Sequence, residues 1–207
     1  MVIVELHPRR KHLTALVLDN GETVPLDTAV VSENGLRAGM EVSAALLEGL
    51  KEASETRRAK EKALWLLSMR DHSQSELIHK LSRTCSRETA EAVAGRMEEV
   101  GLVNDQSYAR RLAGDMLHIR KFGMGRVRAE LRQKGIDREL IDEILEEIED
   151  DPLPRIRSLL EGKYQKSLSD EKGIARVTAA LARRGFQYGD IKAALREYID
   201  MEQEFDE

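Results

Sequence analysis

The residues of this chain best equipped for chemistry are cations, and their chemistry is the recognition of anions. Arg110, Arg111, Lys121, Arg126, Arg128, Arg132 and Lys134 crowd one stretch, and Arg176, Arg183 and Arg184 follow in a second. Residues 105–138 hold nine Lys/Arg against Asp105, Asp115, Glu130 and Asp137, whereas residues 139–151 hold eight Asp/Glu and no base. Basic and acidic surfaces are therefore expected to be separated within one repeat. Arginine suits phosphate and carboxylate because its planar fork can donate two parallel hydrogen bonds. Such stripes are most often solvated helix faces. Arg126 recurs as Arg176, and Lys134 as Arg184, 50 residues on, which favours a binding role.

Other reactive side chains form no catalytic constellation, so the chain does not read as an enzyme. His72 and His79 lack the Cys or carboxylate company of a metal site and read as solvated. Cys85 has no base beside it and stands where later repeats place glycine, as a small residue at a helix end. Gly123-Met124-Gly125 before a helix could offer N–H groups to a phosphate. No strand precedes it and no Gly-Lys-Ser/Thr follows, so a plain interhelix turn is the competing reading. No cofactor or metal is expected.

The elements that position these residues are helices. Leu81, Leu131 and Leu181 are 50 apart, as are Leu77, Val127 and Val177, Gly135 and Gly185, and Ile141 and Ile191. A period of this size marks stacked supersecondary units that cannot bury their apolar faces alone. Each unit would hold three short helices. Glu52 to Met69 carries Ala59, Ala63, Leu66 and Leu67 at helical spacing, with Trp65 expected to pack beside them. Ser73-Gln-Ser-Glu76 reads as a capping box, and Ser86 caps the next helix. In the middle unit Asp105 is the expected cap, Tyr108, Ala109, Leu112, Ala113 and Met116 the buried stripe, and Arg128 and Arg132 an exposed i,i+4 pair. Asp137 caps a third helix, and Pro152 suits the first position of a new one. Ile156, Val177, Leu181 and Ile191 belong to the last core.

Residues 1–50 are of another kind. Val2–Val4 and Leu13–Leu18 have strand character, and Asn20-Gly21 predicts a type I′ hairpin turn, with Thr23-Val24 paired on Leu18-Val17. Ala29–Val31 could add a short strand. His7, Arg9, Arg10, Lys11 and His12 form a basic turn, either solvated or a contact for nucleic acid or an acidic partner. The expected division is a β-rich domain at 1–50, three-helix repeats at 51–104, 105–150 and 152–200, and an acidic, fraying tail at 201–207.

Composition limits the function. Charged residues make up 34% of the 207 and aromatics 4%, which is a helix-rich, surface-rich balance. One cysteine excludes an intrachain disulfide and, with no run of about 18 apolar residues and no secretory leader pattern, predicts a cytoplasmic protein. The net charge of −5 argues against strong free-standing DNA binding.

Ala63-Leu64-x-x-Leu67 with Arg70, Ser75-Glu76-Leu77-x-x-Lys80-Leu81, Gly101-Leu102-Val103-Asn104-Asp105-x-x-Tyr108-Ala109 and Leu131-x-x-Lys134-Gly135-Ile136 together resemble the RecX family, bacterial regulators of the RecA recombinase. The resemblance covers roughly residues 55–200. Thr84-Cys85-Ser86 departs from the Lys-Gly-apolar turn, and the β-rich extension lies outside the core match. The resemblance implies a mainly α fold of three tandem three-helix repeats in an elongated curved array. It also implies a monomeric, non-enzymatic protein that lodges in the groove of the RecA–DNA filament and inhibits ATPase, strand exchange and co-protease activity. The alternative from the residues is a helical-repeat module that binds DNA directly without acting on a recombinase.

Overall fold

The computed structural model describes the backbone of residues 1–205 and the side chains of residues 1–200. The chain is mainly α-helical, with a small three-stranded sheet at its N-terminus followed by three-helix repeats. It divides into two compact units, Met1–Val103 and Asn104–Glu207.

The first unit opens with an antiparallel meander of β1 (Ile3–Arg9), β2 (Leu13–Leu18) and β3 (Thr23–Asp27). Leu16 and Leu18 on β2 and Val24 and Leu26 on β3, each pair two residues apart, point to one face. They are buried with Ile3, Leu36, Val42 and the first turns of α2 (Ala44–Met69). The β2–β3 turn differs from the type I′ expectation. Only Gly21 has positive φ, its N–H donates to Leu18 O, and Leu18 N–H donates to Glu22 O. This is a type I turn closed by a glycine bulge, so Thr23 faces Val17 and Val24 faces Leu16, one residue from the expected register. Ala29–Val31 is not a strand either. The Asp27 carboxylate accepts from Ala29 N–H and starts the short helix α1 (Thr28–Glu33), which turns Val30 and Val31 into the core. A local cap and tertiary burial override β-branched propensity here. Of the basic turn, His7 and Arg9 belong to β1, and Lys11 and His12 adopt positive φ where β1 turns into β2.

Helix α2 is one unbroken 26-residue element capped by Ser43. Leu47, Leu50 and Ser54 face the sheet; Ala59, Ala63 and Leu66 face α3 (Gln74–Leu81) and α4 (Arg87–Glu99). Residue 50 therefore lies inside a helix that serves both cores. Trp65 is 61% exposed rather than packed, because it sits one residue before Leu66 and off the inward stripe. Ser73 and Ser86 cap α3 and α4 as expected.

The second unit repeats the three-helix plan twice. Its helices are α5 (Asp105–Gly114), α6 (Met124–Gln133) and α7 (Arg138–Glu146), then α8 (Leu153–Leu159), α9 (Glu171–Arg183) and α10 (Tyr188–Phe205). The cap of α5 is Asn104, not Asp105: Ser107 N–H donates to Asn104 Oδ1 at 2.8 Å. Asp105 is the first helical residue, where its charge suits the helix dipole. Pro152 stands just before α8, and the Asp151 carboxylate accepts from Leu153 N–H. Both α5 and α8 run on into π-helical turns, Asp115–Ile119 and Leu160–Tyr164. Adjacent pairs, Met116-Leu117 and Leu159-Leu160, turn inward around these wide turns. The expected fraying from Met201 concerns residues whose side chains lie outside the described set.

The 50-residue period is a packing period. Leu81, Leu131 and Leu181 are wholly buried, as are Leu77 and Val127, and Val177 nearly so, each in its own repeat's core. After each leucine the chain reverses. Gly135 and Gly185 take positive φ, and the N–H groups of Ile136 and Phe186 donate back to Leu131 O and Leu181 O. In the first repeat this turn is one residue shorter. Cys85 N–H donates to Leu81 O and its side chain packs on the core, so Cys85 stands in for Ile136 and Phe186 rather than for the glycine.

Candidate interaction surface

The basic stretch and the acidic run, separate in sequence, meet in space. Helix α7 packs against α5 and α6. The Arg110 guanidinium makes a bidentate pair with Glu147, with N–O distances of 2.9 to 3.2 Å. Arg128 pairs with Asp142, and Arg126 lies 3.4 Å from Glu130. The hydrogen bond from Arg128 holds the Asp142 carboxyl below the usual carboxylate range; partial desolvation opposes this, and the charges of Arg128, Arg138 and Arg132 add to it. The expectation of segregated basic and acidic faces is thus corrected. Helical periodicity assigns residues to faces within one helix and says nothing of which neighbouring helix lies opposite.

Four more of the expected cations are engaged inside the fold. Arg111 is exposed and Lys134 half-buried, and both have partners within it. Lys121 adopts positive φ and donates to Ser158 Oγ. Arg184 reaches back to the carbonyls of Arg120 and Lys121 and lies 4.5 Å from the Phe122 ring centroid, a cation–π contact. Lys121 and Arg184 thereby join the second and third repeats instead of facing solvent as free charges. Three cations differ: Arg132, Arg176 and Arg183 are exposed and have no ion pair among the described residues.

Gly123-Met124-Gly125 belongs to the same joint. Gly123 N–H donates to Arg184 O at 3.0 Å and Gly125 N–H to Gly185 O at 3.1 Å. Those donors are already used, which resolves the motif as a contact between repeats. Absence of a side chain is required here, because a methyl on Gly123 would come within 2.6 Å of Phe186 N.

His72 is buried, which corrects the solvated reading. Its Nδ1 lies 3.0 Å from Glu76 Oε2, and its Nε2 is buried without a hydrogen-bond partner. Burial lowers its pKa from the usual 6.5; the Glu76 hydrogen bond opposes this and the Arg70 charge reinforces it. A folded-state pKa below the unfolded value makes the unfolded chain bind more protons. Stability from the neutral imidazole is therefore full above pH 6.5 and is lost as pH falls through the folded pKa. Urea midpoints measured at pH 7.5 and 5.5 should differ more in the wild type than in His72→Gln. Equal pH dependence in both proteins would place the proton elsewhere.

Burial first, then the Glu55 charge, pushes the Cys85 thiol up, against the opposing pull of Lys62. At neutral pH it is therefore mostly the protonated thiol and reacts slowly. Among the described residues no three His, Cys, Asp or Glu side chains are grouped as metal ligands. No helix among them is long and apolar enough to cross a membrane. The sequence reading passed over a basic cleft in the first unit, lined by Arg58, Lys62 and Arg83. The i,i+4 spacing of Arg58 and Lys62 was the available signal.

Against this geometry the comparisons with known proteins are consistent from end to end. Residues 59–97, 104–145 and 149–195 match, in order, the family models described as the first, second and third three-helix domains of RecX. The chain belongs to the RecX family. Regulatory protein RecX of Prosthecochloris aestuarii is 31% identical over 147 residues, covering 70% of this chain and 97% of its own. That of Trichlorobacter lovleyi is 35% identical over 131 residues, covering 60% and 85%. That of Clostridioides difficile is 25% identical over 203 residues, covering 97% and 96%. A crystal structure of regulatory protein RecX shares the fold at a TM-score of 0.65 and 21% identity, covering 95% of this chain and 98% of its own. A RecX structure from Lactobacillus salivarius does so at 0.61 and 21%, covering 70% and 97%. The β-rich start, beyond the domain matches, is thus included in full-length likenesses.

Proposed function

We propose that this chain is a negative regulator of a RecA-type recombinase. It lodges in the groove of the recombinase–DNA filament and suppresses ATPase, strand exchange and co-protease activity. It acts as a cytoplasmic monomer, without catalysis of its own. The observation that carries this reading is the ordered run of three RecX three-helix domains over residues 59–195. The charge pattern supports it: a filament groove displays both protein surface and DNA phosphate, and this chain offers paired acid–base helices together with a few unpaired arginines. Titrating the protein into a recombinase ATPase assay on single-stranded DNA should lower turnover. Mobility shift with and without recombinase separates the alternative, because a direct DNA-binding module would retard bare DNA unaided. An unchanged ATPase rate at saturating protein overturns the regulator reading.

The middle repeat is the proposed main contact, centred on Arg132, with Arg176 and Arg183 secondary. Reversing Arg132 breaks no ion pair, so its melting temperature should barely move. Suppression of the ATPase should weaken severalfold, most at low salt, since exposed charges act over a Debye length of about 8–10 Å. Arg176→Glu should be milder. Arg128→Glu is unsuitable, because it sets a carboxylate against Asp142 and perturbs the fold. Wild-type inhibition by folded Arg132→Glu would make that stripe a solvated face.

A further inference from the structure

The first unit contains a cleft that the regulator reading does not use. It has a volume of about 700 Å³ and is bounded by Pro25 of β3, the middle of α2 and the turn from α3 to α4. Lys51, at one end, is neutralised by Glu48 at 2.9 Å and Glu22 at 3.6 Å. The other three cations of the lining have no carboxylate within ion-pair distance. Arg58 is exposed and makes no hydrogen bond or ion pair among the described residues. Lys62 donates to Lys80 O and Thr84 Oγ1, both at 2.9 Å and both neutral. Arg83 has only the ring nitrogen of His79, at 3.4 Å. Elsewhere in this unit Arg57, Arg70, Arg87 and Arg96 each hold an acidic partner. Its one carboxylate, Glu55, accepts from Ser86 N–H at the start of α4. An anion thus already sits on that helix N-terminus, which attracts negative charge.

We propose that this cleft binds phosphate groups. Lys62 is held in place by neutral acceptors, with no carboxylate within ion-pair distance. Arg58 and Arg83 supply forked donors. Arg58, Lys62 and Arg83 outnumber the one carboxylate of the lining, and a concave wall concentrates their field on the ligand. The phosphate belongs either to a nucleic-acid strand or to a free polyphosphate; the chemistry of recognition is shared.

Cys85, the chain's single cysteine, lies in the lining and reports occupancy. The experiment is the rate of Cys85 alkylation in the full chain at low salt, with no addition, with pyrophosphate and with an oligothymidylate. Either phosphate probe should slow alkylation severalfold in the wild type. Protection by pyrophosphate assigns the site to free phosphates, and protection by the oligonucleotide alone assigns it to strand phosphates. Arg58→Gln and Lys62→Gln should each raise the half-protecting concentration about tenfold, the change expected on losing one charge-assisted hydrogen bond. Lys62→Gln also removes two internal bonds, so Arg58→Gln, which removes none, decides. Arg132→Glu, in the other unit, should leave pyrophosphate protection unchanged and so keeps this test separate from that of the regulator. No protection by either probe, or protection that survives Arg58→Gln, overturns the proposal.

Discussion

Gly185→Ala should destabilise the second unit by roughly 2–5 kcal/mol, whereas Gly101→Ala, at the end of α4 in the first unit, should cost only about 1–2 kcal/mol. Both glycines follow their helices at positive φ, +90° and +75°, so both substitutions carry the backbone penalty of an L-residue there. Their surroundings differ. Around Gly101 a new Cβ meets open space. On Gly185 it comes within 2.6 Å of Arg126 Cβ and closer still to the Arg126 nitrogen. Backbone cannot rotate aside as a flexible side chain would, so the two repeats must part. Parting strains the bonds from Gly123 N–H to Arg184 O and from Gly125 N–H to Gly185 O. Hydrogen exchange read on α6 and α9 in the full chain measures the loss locally. Equal effects at the two glycines would mean that the joint contributes nothing beyond turn geometry.

Leu131→Ala should cost about 2–5 kcal/mol, the range for emptying a fully buried leucine site. Leu131 is wholly buried and shares its core with Met116, Leu117, Val127, Ile136, Ile141 and Ile144. Its neighbours Ala109 and Ala113 are too small to collapse into the void, which argues for the upper half of that range. Arg132→Ala, one residue along and exposed, should stay within about 0.5 kcal/mol of the wild type. The joint also predicts that the damage spreads. Backbone bonds and the Arg184 clamp tie α6 to the third repeat, so α9 should lose protection together with α6. If α9 keeps its protection while α6 loses it, the repeats unfold separately and the clamp is weaker than its geometry implies.

What could be read from the residues alone was whatever is local and periodic. The recurrence of leucine every 50 residues identified the three buried centres, because a helix face repeats with the chain and needs no knowledge of its neighbour. Caps at Ser73, Ser86 and Asp137 were legible because a hydroxyl or carboxylate there satisfies N–H groups only a few residues away. Where two local solutions compete, the reading slipped by one residue, as at Asn104 against Asp105 and in the register of the Asn20-Gly21 turn. The inward turn of Leu117 escaped a straight helical wheel because the helix widens at Asp115–Ile119. The fate of charges was decided by tertiary structure. Arg110 and Glu147 are 37 residues apart and Arg184 and Lys121 are 63 apart, and no periodicity within one helix brings such partners together. Side chains that look alike in sequence therefore part company in the fold. Arg184 becomes a clamp, Arg128 an ion pair, and Arg132 is left exposed without an ion pair among the described residues, because only packing determines which carboxylate or carbonyl comes within reach of each.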